Sequence, residues 1–447
     1  MRLDKNFTEG AIFLPLMGFA APVLGAMLLQ TLYGAVDLMI VGQFCAASEI
    51  AAVSIASAMM MALTIIILGL SLGTTVLLGQ KYGEGRLEEM GGIVGGSVAL
   101  FALIGAFLMV VMQFAAPCAA RIMRVPAESF SSAVAYVRIC SGGALFIVAY
   151  NVLGSVFRGL GDSRTPLVTV AIACGLNIVG DLLFVAVFRL GARGAAIATV
   201  LAQAASVALS LLIVKKNGLP FDFGVKDISL RSRSIKRVLR IGFPVAFQDV
   251  LVQASFLCIG AIVNSLGVVP AAGVGIAERV CGFVMLVPSA YGQAMATFAA
   301  QNFGAGKPDR AARGLACAIL SSLAVGLFMG WATFFHGDAV TSLFVSDEPE
   351  VALASWEYLK AYSIDCLLTS FLFCMVGYFN GLGRTSFVMW QGIIGAFCVR
   401  IPVSWIMSRL EPVSIFRIGL ATPCSSIVQV SLCLFVFFGL TRRRSRA

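Results

Sequence analysis

The chain has 447 residues, of which 59% are apolar and only 12% are charged, and its formal net charge is +10. Soluble domains usually contain about 45–50% apolar and about 25% charged residues, so this composition excludes a soluble enzyme. The single histidine, His336, leaves almost nothing for zinc chemistry or a histidine-dependent triad. Twelve cysteines scattered through apolar stretches without CxxC spacing predict no disulfide framework.

Apolar stretches of about 20 residues or more without charge recur along the chain, and this length crosses a bilayer as a helix. The sequence therefore predicts an all-α polytopic membrane protein. A transmembrane barrel would need short alternating segments instead. Twelve spans are predicted near residues 11–40, 50–79, 92–116, 131–156, 166–188, 194–214, 238–265, 272–299, 311–335, 352–377, 386–408 and 415–440.

Basic residues lie mostly on one side of these spans. The longest loop, 215–240, is rich in Lys and Arg, and Arg442, Arg443, Arg444 and Arg446 follow the last span. The opposite side holds Arg121, Arg124, Arg189, Arg193, Arg409 and Arg417. The positive-inside rule therefore predicts that both termini are cytoplasmic. Attraction to anionic lipid explains the positive net charge without a nucleic-acid partner.

The two halves of the chain repeat each other. The stretch 80–86 (QKYGEGR) recurs 221 residues later as 301–307 (QNFGAGK), and 157–161 (FRGLG) recurs 222 residues later as 379–383 (FNGLG). Pro22 matches Pro244, and Tyr136 matches Tyr358, at the same offset. Parallel repeats of this kind are typical of secondary transporters. We predict an N-terminal bundle (1–214), a linker (215–240) and a C-terminal bundle (241–447).

Several motifs resemble those of the multidrug and toxic compound extrusion (MATE) family. They are the first-span pattern Pro22…Val36-Asp37…Val41-Gly42, the Gln-x-[Tyr/Phe]-Gly loops, RGLGDSRTP at 158–166, AGVGIA at 272–277 and RIP at 400–402. The resemblance covers residues 10–440. It implies the MATE fold, with twelve transmembrane helices in two six-helix repeats around a central cavity. The acidic residues described next resemble those of the DinF-like branch of the MOP flippase superfamily.

An ionisable side chain inside hydrocarbon costs at least about 2.5–3.5 kcal/mol on insertion scales, so each one is a functional hypothesis. The first half contains Asp37 in span 1 and Asp181 in span 5. Asn177 precedes Asp181 by four residues and shares its helix face. Thr199 lies in span 6, at a depth similar to that of Asp181 across a short turn. The spacing predicts that these four side chains meet in the outer half of the first bundle.

The resemblance implies a role for these four residues, because DinF-like proteins use an Asp, an Asn, an Asp and a Thr on the same helices as a cation-responsive cluster. Gln30 and Asn151 extend the predicted network. Two adjacent carboxylates in low dielectric do not both stay ionised, so they are expected to hold one proton. Alternatively, their oxygens bind a hard cation such as sodium. In the structural alternative, Asp37 and Asp181 only cap helix ends. Asn177 and Thr199 then only form hydrogen bonds between helices.

The second half lacks this set, because Phe397 and Ile401 stand where the repeat places the Asn and the second Asp. Its intramembrane candidates are Asp249, Glu278, Asp365 and Arg400. Other MATE branches use acidic residues of helices 7 and 10. Asp249 and Asp365 lie about one helical turn from those positions, so the resemblance implies no such role for them. Glu278 either pairs with Arg279 or extends toward the interface.

These features predict a secondary active antiporter rather than an enzyme. It is expected to export lipophilic or cationic compounds in exchange for H⁺ or Na⁺ by alternating access, with no catalytic residue, metal site or cofactor. Pro22 is a candidate hinge, with a static kink as the alternative. Expected partners are small-molecule drugs or metabolites and membrane lipids, without nucleic acid or an obligate protein partner. The chain is expected to act as a monomer in the bacterial cytoplasmic (inner) membrane.

Other functions stay open on the sequence. The nearest is a flippase or exporter of a lipid-linked precursor or metabolite from the same superfamily. Such flippases commonly carry extra spans or a cluster of cavity cations, and neither is found here. A membrane-embedded enzyme would need a nucleophile–base pair or a metal set. The repeat with its one-sided acidic cluster disfavours a channel.

Overall fold

The computed structural model describes residues 7–342 and 348–444, and these residues form helices joined by short connections. The helices are α1 (Phe13–Phe44), α2 (Ala47–Gly83), α3 (Met90–Ile122), α4 (Ala127–Gly142), α5 (Ala144–Gly159), α6 (Arg164–Asp181), α7 (Gly191–Asn217), α8 (Arg233–Asn264), α9 (Val268–Val284), α10 (Leu286–Gly304), α11 (Pro308–Ser342), α12 (Pro349–Gly381), α13 (Thr385–Ile393), α14 (Ile401–Met407), α15 (Ile415–Gly419) and α16 (Ala421–Arg444). The prediction of an all-α chain is confirmed for this part of the sequence. Arg446 of the predicted basic tail lies outside it.

The membrane-length helices agree with the predicted spans. Eleven helical segments of the described chain are long and apolar enough to cross a bilayer. A twelfth span results if α4 and α5, which are bent by 53° relative to each other, count as one. Gly143 lies between those two helices, and a Cβ atom there would lie 2.5 Å from the side chain of Val200, so glycine permits α7 to pack close to the break.

Wide π-helical turns interrupt the same helix in each repeat. Residues Leu182–Val187 continue α6 directly after Asp181, and residues Ile394–Arg400 join α13 to α14. Such turns displace side chains from the regular helical register and are frequent at functional sites. In this chain each one adjoins an ionisable residue inside a span.

The repeated glycine motifs form helix-ending turns. Gly85, Gly161, Gly306 and Gly383 have φ values of 72°, 84°, 67° and 74°, which is the left-handed region that favours glycine. In each turn the next N–H donates to a carbonyl five residues earlier, as in the bond from Asp162 to the carbonyl of Phe157. This is the Schellman arrangement. The motifs therefore end helices and do not form a phosphate-binding loop.

The chain divides into two compact units. Among the described residues, unit 1 contains 21–246, and unit 2 contains 7–20 together with 247–342 and 348–444. The first helix of each repeat is thus divided: the start of α1 belongs to unit 2, and the start of α8 belongs to unit 1. Both divisions fall close to the repeated proline, Pro22 in α1 and Pro244 in α8. The predicted bundles did not include this exchange, and the connection itself is shorter than predicted, at 218–232.

Close helix packing explains why the start of α8 belongs to unit 1. A Cβ atom on Gly242 would collide with the backbone carbonyl of Leu70, and one on Gly73 would collide with the carbonyl of Val238. The backbones of α2 and α8 therefore approach each other more closely than any larger residue permits. Small residues at such crossings are the usual basis of helix association in membranes.

The segment before α1 is fixed to unit 2 by stacking and by hydrogen bonds. The Phe7 ring is fully buried, and its centroid lies 5.5 Å from those of Phe19 and Phe298 in edge-on contacts. Asn302 Nδ2 donates to the Phe7 carbonyl at 3.1 Å. Arg310 donates to the carbonyls of Phe7, Glu9, Gly10 and Ala11 at 2.9, 2.7, 2.9 and 3.2 Å. These contacts account for the assignment of residues 7–20 to unit 2.

Candidate functional site

The predicted acidic residues of the first repeat lie beside one apolar cluster of unit 1. Val41 of α1, Val185 of the π-helical turn and Ala195 of α7 are all fully or almost fully buried in that cluster. Because their helices converge there, the side chains of Asp37 and Asp181 are brought to the same place. Unit 1 thus surrounds two carboxyl groups with apolar side chains.

The carboxyl groups of Asp37 and Asp181 face each other closely enough to share one proton in a hydrogen bond. The two residues are 5% and 0% exposed. Oδ1 of Asp37 and both carboxyl oxygens of Asp181 accept no hydrogen bond from any N–H or O–H donor of the described residues. A carboxylate that caps a helix accepts backbone N–H bonds, so the capping alternative does not describe this pair.

Asn177 lies one helical turn before Asp181 and is 1% exposed. Neither its Oδ1 nor its Nδ2 has a hydrogen-bond partner within the described chain. Thr199 is half-buried on α7 and is not joined to this group by any hydrogen bond that the structure shows. Its neighbour Ala198 packs so tightly on α6 that a Cβ on Gly180 would lie 2.9 Å from its side chain. This crossing places Thr199 next to the acidic helix.

The arrangement suits a proton or a hard cation. Burial disfavours two negative charges at this distance, and one shared proton removes one of them. Carboxylate and amide oxygens are also the ligands that hard cations prefer. The described residues contain no group of three or more His, Cys, Asp and Glu side chains placed to hold a metal ion. Any cation bound here would therefore need amide or hydroxyl oxygens as well as the carboxylates.

A polar path leads from this pair along α1. Gln30 Nε2 donates to the Tyr150 hydroxyl at 2.6 Å. The Tyr33 hydroxyl lies in electrostatic range of both Tyr150 and Asp37. Gln30 is thus hydrogen bonded to Tyr150, and Tyr33 lies near both Tyr150 and Asp37 without a hydrogen bond to either among the described residues. Asn151 donates to the Ile147 carbonyl of its own helix at 2.8 Å, and the structure does not link it to this path.

Three tyrosines near the site were not singled out from the sequence as site residues. Tyr136 lies in electrostatic range of Asp37, and its hydroxyl accepts a 3.1 Å hydrogen bond from Ser57. A signal was present for Tyr33, which precedes Asp37 by four residues and so lies on the same helix face. Tyr136 also matches Tyr358 in the repeat. For Tyr150 the sequence offers only its place next to Asn151.

The candidates of the second repeat separate into buried and exposed residues. Asp365 and Arg400 are 1% and 6% exposed and lie in each other's electrostatic field. Glu278 and Arg279 are both exposed and form no ion pair, because adjacent residues on a helix point in different directions. Asp249 is half-buried and has no hydrogen bond or ion pair within the described residues.

This architecture defines a class of protein. Two repeated helical units, one with a buried acidic pair inside its spans, are typical of secondary transporters. The MatE family model matches residues 22–183 and 244–406, and its two matches begin at Pro22 and Pro244, the prolines that the repeat aligns. The chain belongs to the MatE family.

Relatives and solved structures agree with this assignment. Over 90% of both chains, the sequence is 28% identical to the probable multidrug resistance protein YpnP of Bacillus subtilis. It is 25% identical to the multidrug export protein MepA of Staphylococcus aureus, over 90% of this chain and 89% of MepA. A MATE crystal structure in complex with MaL6 has a TM-score of 0.91 at 20% identity and covers 98% of both chains. Its likeness supports the fold.

Proposed function

We propose that this protein is a cation-coupled antiporter that exports lipophilic, often cationic, compounds in exchange for H⁺ or Na⁺. The observation that carries the proposal is the pair of facing, buried carboxyl groups of Asp37 and Asp181, in which Oδ1 of Asp37 and both oxygens of Asp181 receive no donor from the described chain. Such a pair has no structural use that offsets its burial. The names of YpnP and MepA support multidrug compounds as the substrate class.

The acidic pair is the coupling element in this proposal. The ion binds Asp37 and Asp181 from outside, with Asn177 supplying a further oxygen and Thr199 close by. Coupling requires the ion and the drug to prefer different states of the protein, since a ligand shifts an equilibrium only by its differential affinity. Ion binding then favours release of the drug, and the ion leaves to the cytoplasm.

Binding also alters the surroundings of α1. Asp37 lies on this helix about two turns before its end, and Pro22 lies on the same helix. Because proline removes one hydrogen bond of the helix, α1 bends there more readily than elsewhere. The proposal therefore gives Pro22 the role of a hinge. The proposed orientation of the protein follows the positive-inside rule, with both termini cytoplasmic. The proposed location is the cytoplasmic membrane of a bacterium.

The test is ethidium efflux from proteoliposomes under a proton gradient or a sodium gradient, imposed separately. We expect one of the two gradients to drive efflux in the wild type. Asp181→Asn should lower gradient-driven efflux at least about 10-fold while the protein elutes as a folded monodisperse species. Asp309→Asn is the matched control, because Asp309 is exposed in the first turn of α11.

Two outcomes would overturn the proposal. Unchanged efflux by folded Asp181→Asn would remove this carboxyl from the coupling mechanism. An absence of drug movement under either gradient, in folded wild-type protein, would reject drug antiport. A lipid-linked precursor or a metabolite would then become the substrate to test.

A further inference from the structure

Unit 2 contains a buried charge pair that the proposed mechanism does not use. Asp365 lies on α12, and Arg400 ends the π-helical turn Ile394–Arg400. Arg400 is next to Ile401, the residue that the repeat aligns with Asp181. The second repeat therefore has a buried cation one residue before the position at which the first has a carboxylate. Both residues are more than nine-tenths buried.

Two contacts with α8 hold the Arg400 guanidinium in place. Nη1 donates to Ser255 Oγ at 3.2 Å, and Cζ lies 4.4 Å from the centroid of the Phe256 ring. Stacking on an aromatic face is a favourable position for a desolvated guanidinium. The position of Arg400 is thus set by α8 as well as by its own helix.

Arg400 compensates Asp365 without contacting it. The structure shows no ion pair within 4.0 Å between Asp365 and Arg400, so their charged atoms are separated by a larger distance. Both oxygens of Asp365 and Nε of Arg400 have no hydrogen-bond partner in the described chain, although the Ser426 hydroxyl lies beside Asp365. Asp365 and Arg400 thus carry opposite charges, and neither side chain has a full set of hydrogen bonds in the described chain.

In the described part of unit 1, no positively charged side chain acts on the acidic pair, and Arg158 acts on Tyr150 instead. The groups that act electrostatically on Asp37 and Asp181 are the two carboxyls themselves, and the further neighbours of Asp37 are tyrosines and a cysteine. None of these carries a positive charge at neutral pH. Under the proposed function, the charge in unit 1 is balanced by an ion that arrives and leaves, whereas in unit 2 the chain itself supplies a buried positive charge, Arg400.

We propose that Arg400 permanently balances the negative charge of Asp365 in unit 2. In unit 1, an exchangeable coupling ion balances the charge of Asp37 and Asp181 instead. The inference rests on the proposed antiport function and specifies it. Arginine does not deprotonate in proteins, so this compensation persists through the whole transport cycle. Asp365 then needs no ion, and one coupling site, in unit 1, serves each cycle.

The experiment measures the dependence of ethidium efflux on the concentration of the driving cation, proton or sodium, in proteoliposomes. The wild type should show a Hill coefficient of about 1, since this coefficient is bounded by the number of sites. In Arg400→Gln, Asp365 requires a cation of its own. At low cation concentration its efflux should fall at least about 10-fold, high concentration should restore it, and the Hill coefficient should rise to about 2.

Two further variants separate charge from structure. The double variant Asp365→Asn/Arg400→Gln removes both the negative charge that needs a cation and the positive charge that balances it. Its Hill coefficient should therefore return to about 1. Arg400→Lys keeps the charge and loses the planar fork, and it should also stay at about 1. If Arg400→Gln does not fold, these two variants decide the question. Arg409→Gln is the matched control, because the Arg409 guanidinium lies 5.7 Å from the Trp405 ring and is exposed.

A Hill coefficient of about 1 in folded Arg400→Gln would overturn the inference, as would about 2 in the double variant or in Arg400→Lys. Loss of efflux in Arg400→Gln that no cation concentration restores would assign Arg400 a purely structural role and would also overturn it. A wild type without gradient-driven efflux would instead reject the proposed function. The two failures are therefore distinguishable.

Discussion

The guanidinium of Arg310 donates a 2.9 Å hydrogen bond to the backbone carbonyl of Phe7, across 303 residues of sequence. Its other nitrogens reach the carbonyls of Glu9, Gly10 and Ala11. One side chain thus satisfies most of the acceptors in the stretch that leads into α1. Because α1 also carries Asp37, the start of the helix with this proposed coupling residue is held by unit 2.

Arg310→Gln should release this stretch. It removes a charged donor from four carbonyls, and each bond to a charged group contributes about 1.5–3 kcal/mol before solvent exposure reduces it, so we expect a net loss of about 1–3 kcal/mol. Hydrogen exchange of residues 7–12 should become faster. Arg313→Gln is the control, because Arg313 is exposed one turn further along α11. Equal exchange rates in Arg310→Gln and wild type would contradict the prediction.

Phe7→Ala should destabilise unit 2. The ring is fully buried between Phe19 and Phe298, and replacing such a ring by a methyl group typically costs about 3–5 kcal/mol. Thermal unfolding in detergent measures the effect. Phe13→Ala is the comparison, because the Phe13 side chain is 52% exposed and its loss should change the midpoint little. Similar midpoints for the two variants would show that the Phe7 ring is not anchored as described.

Gly242→Ala should weaken the packing of α8 on α2. Its Cβ would collide with the carbonyl of Leu70, so the helices must separate, and overpacking of this kind costs about 1–3 kcal/mol. Gly260→Ala on the same helix is the control, since a Cβ there meets nothing within 4 Å. That variant should be neutral or gain up to about 1 kcal/mol from helix propensity. The order of the two unfolding midpoints checks the prediction, and a reversed order would refute it.

Asp181→Asn should stabilise the folded protein while it removes coupling. The amide donates a hydrogen bond to Asp37 without a bound proton, so a state with two facing buried charges can no longer form, and we expect a gain of about 1–2 kcal/mol in the free energy of unfolding. Functional sites commonly trade stability for activity in this way. Differential scanning fluorimetry of the wild type and the variant measures the change. A midpoint lower than that of the wild type would mean that the carboxylate has a structural role.

The spans and the acidic pair could be predicted from the sequence for the same physical reason. A membrane helix must be apolar over its whole length, so an Asp within it is conspicuous. The prediction that Asp37 and Asp181 meet then follows from helical spacing and from the resemblance to DinF-like proteins. The approach of the tyrosines has no comparable signal, because an aromatic residue in a span is ordinary whether or not it contacts an acid.

The assignment of residues 7–20 to unit 2 was also beyond sequence reasoning. Phe7 and its partner Phe298 are separated by almost 300 residues, and nothing local to either position indicates the other. The sequence also did not indicate that Arg400 and Asp365 are buried. Glu278 and Arg279 lie in a comparable span, yet they are exposed. Tertiary packing decides which intramembrane charges are enclosed.

Because the start of α1 belongs to unit 2 and the start of α8 belongs to unit 1, neither unit is complete until the other half of the chain has been synthesised. Residues 7–20 are synthesised first, yet Phe298 and Arg310 emerge roughly 15–60 s later at about 5–20 residues per second. Until then this stretch has no partner within its own unit. A cut in the connection 218–232 would likewise give two polypeptides that each lack a part of their unit. Co-expressed halves should therefore assemble as obligate complements, and neither half alone should form a stable domain.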